Sequence, residues 1–219
     1  MFMSWRPVRD FLALALAALA LPAGAQESPN LSILAAGRAG DEAAVARALK
    51  DGASPDARTR IGETVLLMSI KNDRPRLAQQ MIQAGADVNL AAANGVTPLM
   101  AAAHAGSVEI VRLLLERGAD VSALDRLKKN AMTYAAGQGH TEIVLLLLKS
   151  GVDPNAVYAH DLTALMWAAG YGHSDTVQAL LAAGARAELR DDRGKTALDI
   201  AREENHRETV ELLQRAASR

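Results

Sequence analysis

Glycines return along this chain at one fixed interval. Gly52, Gly85, Gly118, Gly151 and Gly184 stand 33 residues apart, and a second series of the same period runs Gly40, Asp73, Gly106, Gly139, Gly172 and Asn205. A third series is apolar: Ile33, Leu66, Leu99, Met132, Leu165 and Leu198. A period of this length predicts a stack of small copied units, because one such unit cannot bury its apolar stripe without a neighbour. Inside a period, the stretch 97–105 reads as a short helix broken at Gly106, and 108–117 as a second helix ended by Gly118 in a left-handed conformation. In the second helix, Ile110, Val111, Leu114 and Leu115 mark one buried stripe. The segment 87–95, ending in Asn94-Gly95, predicts a tight hairpin.

Composition narrows the possibilities further. Aromatic residues make up 3% of the chain against 50% hydrophobic residues in all, so the core must come from Leu, Ala, Val and Ile. The formal net charge of -1 gives no general attraction to nucleic acid or to an anionic membrane, and neither is expected as a partner. With no cysteine, disulfides, thiol catalysis and Cys-ligated zinc are excluded. Residues 1–25 read as a cleaved secretory leader: Arg6 and Arg9 precede the apolar run from Phe11 to Leu21, and Ala23-Gly24-Ala25 is a small-residue processing site. That run is too short to span a bilayer. A mature chain, 26–219, starting at Gln26 and residing in the periplasm or outside the cell is expected, with no stable membrane insertion.

The repeated units resemble the ankyrin-repeat family. The resemblance is carried by Thr97-Pro98-Leu99, Ala102-Ala103, Glu109-Ile110-Val111, Leu113-Leu114-Leu115 and Gly118-Ala119-Asp120, and again by Gly139-His140 and Gly172-His173. It implies an all-α repeat solenoid of helix-turn-helix units with β-hairpin loops. Six units are expected, near 27–59, 60–92, 93–125, 126–158, 159–191 and 192–219. First helices and hairpins would form a concave binding face, with second helices outside and the end units acting as caps.

Departures from the family pattern carry their own expectations. The position after T-P-L holds Leu67, Met100, Thr133, Met166 and Asp199 rather than His, which predicts that apolar contacts replace hydrogen bonding between hairpins. Lys128-Lys129-Asn130-Ala131 replaces G-x-T-P in unit four and Asp161 replaces the hairpin glycine in unit five, so these two hairpins are expected to be looser than that of unit three. His140, His173 and His206 share one repeat position. Neighbouring helices lie about 8–10 Å apart, too far for one zinc with bonds of about 2 Å to reach two of them, and hydrogen bonds at the start of each second helix are expected instead. Gly137-Gln138-Gly139 and Gly170-Tyr171-Gly172 read as interhelical turns, because no strand precedes them and no third glycine follows as a dinucleotide loop requires. No catalytic, cofactor or metal motif is found.

Function is therefore expected from a surface. The resemblance places variable contacts at the hairpin tips and first-helix ends: Arg60, Ile61 and Glu63; Asn94, Val96 and His104; Arg126, Leu127, Lys129 and Gln138; His160, Leu162 and Tyr171. Trp167 and Tyr171 lie four apart on one helix, and Tyr158 replaces the usual Asp at the base of its hairpin, adding two residue types common in binding hot spots. Trp167 is read either as a contact or as packing between repeats. The expected activity is that of a non-catalytic, monomeric protein-binding module, a scaffold, inhibitor or immunity-type binder acting outside the cytoplasm. The alternative is an accessory subunit of a periplasmic enzyme, for example in oxidative-stress defence.

Overall fold

The computed structural model describes residues 28–217, and the expected leader, 1–25, lies outside the described residues. Twelve α-helices follow one another: α1 Pro29–Ala39, α2 Glu42–Lys50, α3 Val65–Lys71, α4 Pro75–Gln83, α5 Pro98–Ala105, α6 Val108–Glu116, α7 Ala131–Gly137, α8 Thr141–Lys149, α9 Ala164–Gly170, α10 Ser174–Ala182, α11 Ala197–Glu203 and α12 Arg207–Ala217. Among the described residues there is no strand, only two isolated bridges, Arg58 with Thr64 and Val157 with Thr163. Odd-numbered helices stack on one another in one layer and even-numbered helices in a second. The chain is an all-α repeat solenoid.

Local chemistry sets each helix start. Thr64, Thr97, Asn130, Thr163 and Thr196, again 33 apart, are the N-caps of α3, α5, α7, α9 and α11, and each side chain accepts the amide of the residue three further on. Such caps satisfy amides that the first helical turn leaves without partners. Pro75 opens α4, where its missing N–H costs nothing. The core is built from the predicted apolar series: Ile33, Leu66, Leu99, Met132 and Leu165 are fully buried. Each such side chain contributes about 1.5–3 kcal/mol. Leu198 is only half-buried, α11 being the last first-layer helix among the described residues. Ile110, Val111 and Leu114 are buried as expected, whereas Leu115 sits at the margin of the stripe and is partly exposed.

The turns between paired helices are stitched by a ladder. His140 Nε2 donates to the carbonyl of His104, His173 Nε2 to that of Gly137, and His206 Nε2 to that of Gly170, each at 3.1 Å. The histidines therefore cap the preceding unit's first helix rather than their own second helix, and for His140 and His173 the own-helix side-chain cap is absent. Each ring lies against a glycine of that preceding unit. A Cβ at Gly139 would stand 2.6 Å from the His173 ring, and one at Gly106 the same distance from His140. Both glycines also have positive φ, 73° and 75°. Two junctions depart from the pattern: Arg74 takes the ring's place against Gly40 and donates to the carbonyls of Gly37 and Arg38 at 3.1 and 3.0 Å, and at the next, Ser107 holds the ring's repeat position while Asp73, at φ 51°, holds the glycine's.

Candidate functional site

Five hairpins project from the first-helix side, each just before an odd-numbered helix. In the hairpin of residues 125–129 the buried Asp125 is the organiser. Its Oδ1 accepts the amides of Leu127 and Lys129 at 2.8 and 2.9 Å, and its Oδ2 accepts the Tyr134 hydroxyl at 2.6 Å. Burial, then this bond and the carboxylate's charge, push the Tyr134 phenol well above its ordinary pKa. Asp191 organises the hairpin 191–195 in the same way, taking the amides of Arg193 and Lys195 and the Arg193 guanidinium. Although burial opposes ionisation, these donors hold the Asp191 carboxyl below the usual carboxylate range.

At the equivalent position of the fifth unit stands Tyr158. Its hydroxyl accepts a bond of 2.9 Å from Asn130 Nδ2, and burial pushes the phenol's pKa up. This hairpin has no carboxylate to gather its amides; it keeps the closing bond common to all five hairpins, here Tyr158 N–H to Leu162 O at 3.0 Å, with His160 and Asp161 both in the left-handed region at φ 61° and 54°. Both irregular hairpins are closed by their own hydrogen bonds, as that of unit three is. The links that are missing lie between the two.

Elsewhere neighbouring hairpins are linked. Ala93 N–H donates to Ile61 O, Arg126 N–H to Asn94 O, and Asp192 N–H to His160 O, at 2.9 to 3.1 Å. A parallel row runs below: Asp56 Oδ1 accepts from Asp87 N–H, Asn89 Oδ1 from Asp120 N–H, and Asn155 Oδ1 from Arg186 N–H, each at 2.8 Å. Hydrogen bonding between hairpins thus persists through backbone and Asp or Asn groups, contrary to the expectation that apolar contacts replace it. Between the segments 118–130 and 151–163, however, neither rung is made among the described residues. Ser122 holds the position of Asn89 and Asn155, and its short side chain turns back to its own Asp120 at 2.6 Å. Among the described residues the one hydrogen bond across this seam runs from Asn130 to Tyr158.

The aromatic residues gather beside the seam. Tyr134 and Trp167 occupy one repeat position on α7 and α9. His104 meets the Tyr134 ring edge-on at 5.7 Å, Trp167 stacks on Tyr171 at 6.2 Å, and Tyr171 stacks on His173 at 6.3 Å. Lys129 Nζ lies 4.2 Å from the Trp167 ring and 5.9 Å from that of Tyr134, within cation–π reach of both. The Trp167 indole N–H is buried and meets no acceptor among the described residues. Tyr134 finds Asp125, whereas the same repeat position relative to Trp167 is held by Tyr158.

Trp167, Tyr171, Leu162 and Met166 form one wall of a groove of about 490 Å³, closed on the other side by Arg193, Ile200, Glu204 and His206. Its floor is Gly170, where a Cβ would come within 3.1 Å of Ile200.

The structure brings Arg126, Leu127, Lys129, Tyr158, Leu162, Trp167 and Tyr171 to this region, with His104 and Gln138 next to it. Gln138 Nε2 lies 3.4 Å from the His104 ring. Leu127 and Tyr171 are 65% and 58% exposed, the behaviour of a surface rather than a core. Trp167 packs against the core and also lines the groove. Ile61, exposed, and Arg60 stand at the 59–63 hairpin near the other end of the stack, where Glu63 pairs with Lys71 at 2.5 Å. Asn94 is occupied in the hairpin links, Val96 packs against the core, and His160 pairs with Asp192 at 2.8 Å. Sequence reasoning passed over Lys128 as a site residue, and with it Tyr134, Arg193, Ile200 and Glu204. The signal was the period itself, which puts Tyr134 in register with Trp167.

A row of helix pairs carrying hairpins on one side, with no metal-ligating cluster among the described residues, defines a repeat solenoid that presents a surface. The family model for ankyrin repeats matches in three overlapping stretches, residues 32–125, 66–158 and 132–218. The chain belongs to the ankyrin-repeat family, whose members are typically non-catalytic modules mediating protein–protein interaction. No curated protein matches the chain.

Proposed function

We propose that this chain is a non-catalytic binding module that docks a protein partner on its hairpin side, across the units built on α7 to α10. One observation carries the reading: the half-buried Trp167 stacks on the exposed Tyr171 beside a groove, flanked by the basic hairpin 126–129. An aromatic centre with a polar rim is the composition of protein interfaces. The leader-like residues 1–25 support action in the periplasm or outside the cell, as a monomeric scaffold, inhibitor or immunity-type binder. Recovery of a mature chain starting at Gln26 is the expected result of N-terminal sequencing, and recovery of only full-length cytosolic protein would overturn the exported reading.

Partner capture followed by lysine-directed crosslinking tests the docking face. Crosslinks to the partner are expected at Lys128 and Lys129. Crosslinks confined to Lys149, exposed on α8 in the opposite layer, would assign the interaction to the other face.

A further inference from the structure

We infer that the partner segment seated on this face is acidic: an extended stretch of protein chain carrying carboxylates over the hairpin 126–129 and placing an apolar or aromatic side chain in the adjoining groove. The inference rests on the docking reading above and adds the chemistry of the occupant.

The first argument is charge. Arg126, Lys128 and Lys129 stand together on one hairpin, and none has a carboxylate partner among the described residues. The one acid within the hairpin, Asp125, is 7% exposed and turned inward to two amides and the Tyr134 hydroxyl. The Lys129 ammonium rests on aromatic faces instead. On other hairpins several charges are paired, Glu63 with Lys71, Asp191 with Arg193, Asp192 with His160, and Lys195 with Glu203; Arg60, on the 59–63 hairpin, also has no carboxylate partner among the described residues, but it is one cation rather than a group of three. Asp161, exposed on the next hairpin, marks the limit of the cationic surface. The protein's net charge of -1 makes this a local feature. Unmatched exposed cations lower the free energy of an arriving anionic segment and speed its encounter.

The second argument is the cost of keeping Lys128. Its repeat position holds Gly62, Gly95 and Gly194, all at positive φ, and Asp161 at φ 54°; Lys128 keeps the same left-handed conformation at φ 56°. A lysine there carries strain of about 1 kcal/mol that glycine would not. The third is continuity. Trp167 supports Lys129 on its face and also lines the groove, so one ligand can engage both, and a volume near 490 Å³ suits a side chain or two.

Tryptophan fluorescence provides the test, using the full chain with Trp5→Phe so that Trp167 alone reports. The probes are a short glutamate-rich peptide with one phenylalanine, the same peptide with glutamine for glutamate, its lysine counterpart, an oligothymidylate, and vesicles containing phosphatidylglycerol. The acidic peptide should bind tightest, weaken with salt, and perturb Trp167 by drawing Lys129 from its ring. Lys128→Gly should weaken that binding about threefold to tenfold while raising the denaturation midpoint, so loss of fold cannot explain the loss of binding. Equal binding of the glutamine peptide would overturn the acidic inference and leave the docking face standing. Preference for the oligonucleotide or vesicles, binding unchanged in Lys128→Gly, no binding of the acidic peptide, or concentration-dependent self-association that buries Trp167 would each overturn it as well.

Discussion

At the junction between the α7–α8 and α9–α10 pairs the two sides of the stack are stitched differently. On the turn side, His173 bonds the Gly137 carbonyl at 3.1 Å and the Thr141 and Thr176 hydroxyls meet at 2.8 Å. On the hairpin side the two rungs made at other junctions are missing, and Asn130 to Tyr158 stands alone. The difference teaches where the repeat is held to pattern and where it is released. The turn side keeps the helix stack in register. The hairpin side departs from pattern beside Lys129, Trp167 and Tyr171, and local breaks of rule in an otherwise consistent sequence mark functional surfaces.

The largest expected effect breaks the regular side. In Gly139→Ala the new Cβ would meet the His173 ring at 2.6 Å, and alanine would also have to hold a φ of 73°. Left-handed strain of about 1–2 kcal/mol and the lost His173 bond of about 1 together predict a destabilisation of about 2–3 kcal/mol. Gly118→Ala carries a similar φ, 78°, with nothing within 4 Å, and should cost only the strain. Chemical denaturation of the two variants separates conformational strain from the ladder. Equal losses would show that the histidine contact contributes nothing.

A smaller effect is expected on the hairpin side, where rungs can be removed or added. Asn155 accepts from Arg186 N–H and donates to Gly184 O at 3.1 Å, so Asn155→Ala should cost about 1–2 kcal/mol. Ser122→Asn supplies the group missing at the seam and should gain about 0.5 kcal/mol, as restoring a repeat's common residue often does. A loss of stability in Ser122→Asn would mean that the seam is held open by something other than side-chain length.

The smallest effect is one of pH, and it has opposite signs in neighbouring hairpins. The Asp191 carboxyl is lowered in the folded chain, so its contribution is full above its unfolded pKa near 4 and is lost as pH falls through the folded value. The Tyr158 phenol is raised, so its contribution is full below about pH 10 and is lost as pH rises through the folded value. Amide exchange should therefore quicken in 191–196 under acid and in 158–163 under alkali. Identical behaviour of the two hairpins would show that the Asp-to-Tyr exchange has no structural consequence.

Much of the fold was legible because one period governs cap, core and turn together: Thr97, Leu99 and Gly106 each state the same register. The ladder was only half legible. The histidine positions were plain, but their acceptors lie one unit back, so the bonds were expected within the histidines' own helices. The paired exchange of Gly for Asp73 and of His for Ser107 was the signal that could have shown it. The site was less legible still. Trp167 and Tyr171 could be singled out by residue type, whereas Ile200 and Glu204, on α11, meet them only through stacking. Lys128 read as an irregular turn until the structure showed its charge unmatched. The seam was legible only in part: Ser122 is visibly short where Asn89 and Asn155 stand, whereas the missing backbone link between the hairpin tips has no counterpart in residue type.

The central claim is that the hairpin side around α9 is the binding face, and paired affinities test it most directly. Tyr171→Ala removes an exposed aromatic ring, and Arg112→Ala removes one member of an exposed ion pair with Glu142 in the opposite layer. Measured against the captured partner by calorimetry, Tyr171→Ala should weaken binding by about 2 kcal/mol and Arg112→Ala should leave it within about 0.5 kcal/mol of the parent. Parent-like affinity in Tyr171→Ala together with a loss in Arg112→Ala would contradict the account and move the interface to the second-helix layer.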